Sequence, residues 1–317
     1  MKKLPLLALV KETFTEWKTD NSAQLAASLS YYTTFSMVPF LIVIITLAGL
    51  FGGQDAANNL VMTQVEDLVG ANGREFIQEA LITASQEKTG SLIASVIGTV
   101  VLVLGAIGFF VELQNSMNTI WNIKVKPAGN LRETISRFIL KKVLSFSMLL
   151  GIVFLLLVSL LISALLSALG EMISSLPFLP DFALMVINFL LSLMLITALF
   201  AMIFKYLPDA QIAWDDVWLG AGITALLFNL GKFAIGFYLG RSNVSSSFGG
   251  ASTLAIIMVW IYYSAQILFF GAEFTKVYAN RLGSKIVPDP DAVKVKQVEV
   301  GVNRSLNQLD EGEPTHV

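Results

Sequence analysis

The sequence predicts an all-α polytopic membrane protein: a bundle of six transmembrane helices with an N-terminal interfacial helix and a helical outer loop. Three observations lead there. Only 14% of the 317 residues are charged, and the mean hydropathy is +0.70. Six apolar stretches, centred on Val38 to Phe51, Leu92 to Val111, Val143 to Leu169, Phe182 to Tyr206, Val217 to Leu239 and Thr253 to Tyr278, suit a hydrocarbon core that takes roughly 20 apolar residues to cross. Within lipid every backbone polar group must be satisfied internally, and these stretches are too long for barrel strands, so helices are expected. The third observation is the placement of charge. Of 21 basic residues, 17 fall before span one, between spans two and three, after span four and after span six, while the alternate segments hold Arg74, Lys88 and Arg241, and Lys232 lies inside span five. Lys and Arg collect in cytoplasmic loops, so both termini are expected in the cytoplasm.

Residues 1–20 read as a cytoplasmic interfacial helix. Leu6, Leu7, Val10, Phe14 and Trp17 recur at helical spacing while Lys11, Glu12, Glu16 and Lys18 fall elsewhere; packing on the cytoplasmic loops is the competing reading. Residues 21–282 form the membrane domain. Its first span is polar in its first half and contains Pro39, which removes one helical hydrogen bond and is expected to bend the helix near Ser36 to Pro39. The outer loop, 54–89, carries six acidic residues and two amphipathic patterns separated by Gly70 to Gly73, predicting two short helices in an acidic cap. Span two is studded with Gly98, Gly105 and Gly108, and span five has Gly236 and Gly240, spacings that suit close helix packing. Residues 283–317, with prolines, charges and few aromatics, are expected to be a largely disordered cytoplasmic tail.

Some chemistries lack candidate residues. Cys is absent and the only His is His316, so neither a thiol nucleophile, a serine–histidine triad nor a zinc cluster is available. No cofactor, metal or nucleic-acid partner is expected, and no catalytic residue.

The informative residues are the polar ones inside the apolar stretches, because a Lys or Asp at the bilayer centre costs about 2.5 to 3.5 kcal/mol on insertion scales. Depth arithmetic along the spans puts Asn188 and Lys232 toward the outside, Asn229 and Gln266 near the middle, and Glu112, Lys205 and Glu273 on the cytoplasmic side. Lys232 and Glu273 should not touch. Lys232 is expected near Asn188, Asn229 or the face of Trp260, and Glu273 near Lys205 or Tyr31. Lys232, Asn229, Asn188 and Gln266 are thus candidate binding residues for an anionic group, with Glu112, Glu273, Lys205 and Tyr31 at a cytoplasmic mouth. The bland alternative is that the amides join helices and that Lys232 snorkels to the interface.

Three stretches carry a resemblance: NSAQLAASLSYYTTFSMVP (Asn21 to Pro39), ELQNSMNTIW (Glu112 to Trp121) and the run from Tyr206 to Tyr278, which opens YLPDAQIAWDDVW and closes FFGAEFTKVY. Together they resemble the YihY/BrkB family of bacterial inner-membrane proteins, once labelled ribonuclease BN. The resemblance covers about residues 20 to 280. It implies six spans with cytoplasmic termini and no settled reaction; where relatives have Tyr, this chain has Phe248. The expected function is a transporter or lipid translocase that handles an anionic lipid or solute through a polar cavity. The rival is a non-transporting envelope scaffold or assembly partner, whose acidic outer loop binds a protein.

Overall fold

The computed structural model describes residues 6–86, 108–127, 130, 147, 150–152, 154–155, 158, 181–241 and 250–295, at some of which, Asn188 and 233–241 included, it describes the backbone alone. Helices α1 (Leu6–Thr19), α2 (Ser22–Gly52), α3 (Gln54–Gln86), α4 (residues 108–120), α5 (Asp181–Tyr206), α6 (Trp214–Arg241) and α7 (Gly250–Arg281) dominate. Short strands β1 (Ile123–Val125), β2 (Ala210–Gln211), β3 (Val287–Pro288) and β4 (Ala292–Lys294) lie between or after them. Among the described residues three segments are long and apolar enough to cross a membrane, Ser22–Leu50, Phe189–Tyr206 and Thr253–Arg281. Predicted spans two and three lie largely outside the described residues.

Helix α7 is the hub, packing on α1, α2, α3 and α6. At 31 and 32 residues, α2 and α7 are about 46 and 48 Å long, well beyond a hydrocarbon core of about 30 Å. Their surplus turns lie side by side, since Ser22 at the start of α2 meets Glu273 near the end of α7. That extra length is the polar half of α2 seen in the sequence.

Close approach between α6 and α7 comes from a reciprocal pair of glycines. A methyl group added at Gly220 would lie 1.9 Å from Thr275 Oγ1, and one added at Gly271 would lie 1.9 Å from Thr224 Oγ1. Each threonine hydroxyl donates to the carbonyl four residues earlier on its own helix, Gly220 for Thr224 and Gly271 for Thr275, both at 2.7 Å. The hydroxyls are thereby satisfied without water, and the hydroxyl oxygens themselves occupy the space the glycines leave.

Outward-facing positions are apolar. Phe35, Leu50, Phe189, Leu190, Met194, Leu226, Leu230 and Val259 are exposed. A surface of that kind over long helices suits hydrocarbon rather than water. Inside, Phe110, Met117, Ile120, Trp121, Phe204, Leu207, Ile257 and Phe269 are almost fully buried and join α4, α5 and α7 into one core.

Helix α3 breaks where expected: Gly70 has φ 78° and ψ 177°, a conformation open to glycine, so 54–86 is two helices about one kink. Glu66 and Arg74 pair across it. Helix α2 stays helical through Pro39, and Ser36, at the expected bend, is buried.

The tail differs from expectation over 283–295. Strand β3 pairs antiparallel with β2 (Ala210 opposite Pro288) and β4 with β1 (Lys124 opposite Val293). Asp216 accepts hydrogen bonds from the Ser284 backbone and hydroxyl at 2.9 and 2.8 Å, and Lys126 donates to the Pro290 carbonyl at 2.8 Å. A composition that reads as disorder is held here by partners 68 or more residues away in sequence. Residues 296–317 lie outside the described residues.

Candidate functional site

Two regions concentrate polar chemistry. One is a layer at the end of the bundle where α1 and the strands lie; the other is a groove beside α1.

At the layer's centre is Lys276, 4% exposed. Its ammonium lies 2.6 Å from Asp20 Oδ2, 2.7 Å from Glu273 Oε2 and 2.8 Å from Glu16 Oε2. Ser22 donates to the other oxygen of Glu273 at 3.3 Å. The oxygens of Glu16, Asp20 and Glu273 lie within 4.8 Å of one another, a spacing that would suit a cation. In this fold the lysine ammonium is the cation. Three carboxylates around one ammonium, at the junction of α1, α2 and α7, tie the N-terminal helix to the hub.

Other contacts extend the layer. Asn118 donates to Asp209 Oδ2 at 2.7 Å and accepts from the Asp209 backbone at 2.9 Å, while Gln114, one turn earlier, reaches Oδ1 at 3.4 Å. Ser28 donates to Glu112 at 2.6 Å, and the Trp121 indole donates to the Ala272 carbonyl at 3.3 Å. Lys205 donates to the Ile212 carbonyl and lies 5.6 Å from the centre of the Trp214 ring.

The predicted mouth residues are therefore present but separate. Glu273 meets Ser22 and Lys276 rather than Lys205 or Tyr31. Tyr31 is exposed, 4.8 Å from the ring of Phe35. Depth arithmetic placed Glu273 and Lys205 at similar levels, but level alone does not choose a neighbour; the order of helices around the bundle does. Lys276, grouped by the charge count with a cytoplasmic tail, is buried in the protein. The missed cluster had one legible signal, since Glu273 and Lys276 stand three residues apart on one helix and can face each other.

The groove lies between α1, α6 and α7 and has a volume of about 430 Å³. Helix α1 turns Leu9 and Thr13 inward and leaves Leu7, Val10 and Phe14 exposed beside it. Phe14 and Trp17 stack at 5.8 Å on the groove's edge. Gly231, Tyr263, Gln266 and Ile267 line it further along. Tyr263 and Ile267 also line a crevice that holds Lys232 together with Phe228, Trp260 and Ser264. Lys232 thus stands beside Trp260, as expected, and away from Glu273. The crevice has no room for a water molecule. Asn229, by contrast, donates to the Ala225 carbonyl of its own helix at 2.9 Å. The side chain of Asn188 lies outside the described residues.

The profile of the virulence factor BrkB family matches residues 13–296. The chain belongs to the BrkB family. Relatives of this BrkB chain are curated as membrane proteins. A UPF0761 membrane protein of Verminephrobacter eiseniae (strain EF01-2) is 26% identical over 82% of this chain and 59% of its own length. Another, of Actinobacillus pleuropneumoniae serotype 5b (strain L20), is 25% identical over 84% of this chain and 91% of its own. Bacillus subtilis (strain 168) has YfkH, named as ribonuclease-like, 22% identical over 89% and 98%. The BrkB chain spans only 59% of the Verminephrobacter protein and of a Rhodospirillum centenum relative. No solved structure matches it. The three stretches behind the resemblance meet in the polar layer: Ser22 and Ser28 from the first, Glu112 to Trp121 from the second, Asp209 and Glu273 from the third.

Proposed function

We propose that this membrane protein moves or presents an anionic lipid across the bacterial inner membrane, with six spans and both termini in the cytoplasm. The observation that carries this reading is the groove of about 430 Å³ beside α1, which adjoins the Lys232 crevice through Tyr263 and Ile267. An acyl chain fits the apolar groove, and an intramembrane cation in the adjoining crevice suits a phosphate. Lys232 carries the anion, Gln266 and Asn229 set polarity near it, and the layer of Glu112, Glu273 and Lys205 holds the bundle's end together. No catalytic role is assigned to any of these residues. The ribonuclease-like name of one relative stays with that relative.

A second reading has its own support. A crevice too tight for water suits an envelope scaffold in which Lys232 is an anchor among aromatic rings. Vesicles reconstituted with the full chain, carrying a fluorescent anionic lipid in one leaflet, separate the two. Wild type should equilibrate the lipid, Lys232→Met should lose that activity at unchanged protein level, and Lys232→Arg should keep part of it. Equal lipid movement with and without protein would favour the scaffold and a partner protein at the outer loop.

A further inference from the structure

Two residues that line the groove each carry a buried polar atom that the fold leaves unsatisfied, and the two atoms are of opposite kind. Trp17 Nε1, which can only donate, and Gln266 Oε1, which can only accept, are both buried without a hydrogen-bond partner. Both residues line the same groove. A buried orphan costs about 1–3 kcal/mol, and within hydrocarbon no water relieves it. A ligand that relieves both must offer an acceptor to the indole and a donor to the carboxamide. It must also be largely hydrocarbon, since Leu227, Leu230, Ile267 and Phe270 form much of the remaining lining. The exposed apolar edge of α1, Leu7, Val10 and Phe14, gives such a molecule a way in from the bilayer.

We infer that the groove is a binding site for a phospholipid whose headgroup carries a hydrogen-bond donor, a hydroxyl or an ammonium N–H. A phosphate or ester oxygen accepts from Trp17, the headgroup donor bonds to Gln266 Oε1, and an acyl chain covers the apolar wall. A choline headgroup has neither O–H nor N–H. It would satisfy Trp17 and leave Gln266 unpaired, so it binds more weakly, and a loss of about 1.4 kcal/mol is a tenfold weaker affinity. This inference rests on the lipid-handling function proposed above and adds the headgroup class and the residues that select it.

The test uses the purified full chain in detergent, with binding read from the thermal-unfolding shift produced by short-chain phosphatidylglycerol, phosphatidylethanolamine and phosphatidylcholine. Wild type should bind the first two about tenfold more tightly than the third. Gln266→Leu should bind all three alike, and Trp17→Phe should weaken all three while keeping the order. Without lipid both variants should unfold at or above the wild-type temperature, because each removes an orphan polar atom. A variant that melts well below wild type in lipid-free detergent would mean that the atom has a structural partner, and would overturn the site. Retention of headgroup preference by Gln266→Leu would overturn it too. Lys232→Met should weaken binding of all three and lose lipid movement, but phosphatidylethanolamine should still bind more tightly than phosphatidylcholine; loss of that difference would overturn the role of Gln266. If wild type binds every phospholipid equally, the inference fails and lipid handling stands; if it binds none, both fail.

Discussion

Replacing Lys276 with Met should be among the most damaging single changes in this protein. The substitution keeps an unbranched side chain one atom shorter and removes the one ammonium shared by Glu16, Asp20 and Glu273. Those carboxylates are not equivalent: the side chain of Glu16 is 37% exposed, whereas those of Asp20 and Glu273 are 3% and 0% exposed. Glu16 is partly screened by solvent, so its loss matters little, on the order of a surface pair at 0–1 kcal/mol. Asp20 and Glu273 would be left as buried carboxyl groups without their cation, and breaking such a pair costs roughly 3–5 kcal/mol. Because one ammonium serves two such partners, Lys276→Met is expected at the upper end, about 4–5 kcal/mol, or three orders of magnitude in the folding equilibrium. Glu16→Gln should change stability by less than about 1 kcal/mol, with Asp20→Asn between the two. Adding Glu273→Gln and Asp20→Asn to Lys276→Met should recover much of the loss, since neutral amides in the same volume carry no buried charge. The assay is unfolding of the purified protein in detergent by denaturing surfactant, followed by circular dichroism. A Lys276→Met protein as stable as wild type, or a triple variant no better than the single one, would refute the reasoning.

Other expectations follow from the same geometry. Gly220→Ala should destabilise by about 1–3 kcal/mol because its methyl group meets Thr275 Oγ1 at 1.9 Å, and Thr275→Ala in the same chain should recover part of that; a freely tolerated Gly220→Ala would show that α6 and α7 can separate at little cost. Asn118→Leu should lower stability by about 1–3 kcal/mol, read by thermal melting, since it strips two hydrogen bonds from Asp209. In a chain without cysteine, single thiols at Ser85 and Asn243 should react with an impermeant reagent from outside and those at Ala128 and Lys285 should not; the reverse pattern would invert the orientation. Pro39→Ala restores a donor within a helix that already runs through that position, so it should keep or raise the melting temperature while altering lipid movement; a lower melting temperature would mean that the ring itself packs the bundle.

Membrane character, a helix in the first 20 residues and the break at Gly70 were legible in the sequence alone, because each depends on local composition, spacing or one glycine. Apolar length selects hydrocarbon, apolar residues at helical spacing select a helix with one buried face, and Gly70 permits a backbone angle that other residues resist. The separation of Lys232 from Glu273 was legible as well, since rise per residue fixes depth along a span. Neighbours around the bundle were not. Which carboxylates would surround Lys276, which amides would clamp Asp209 and which strands would hold 283–295 depend on the lateral order of helices and on pairings across long stretches of chain. The groove, with its unpaired indole and carboxamide, belongs to the same class: Trp17 and Gln266 are 249 positions apart and become one site only where α1 lies against α7. Local chemistry acts along the chain and can be read there; a polar partner within a bilayer is whatever side chain the packed helices bring within reach.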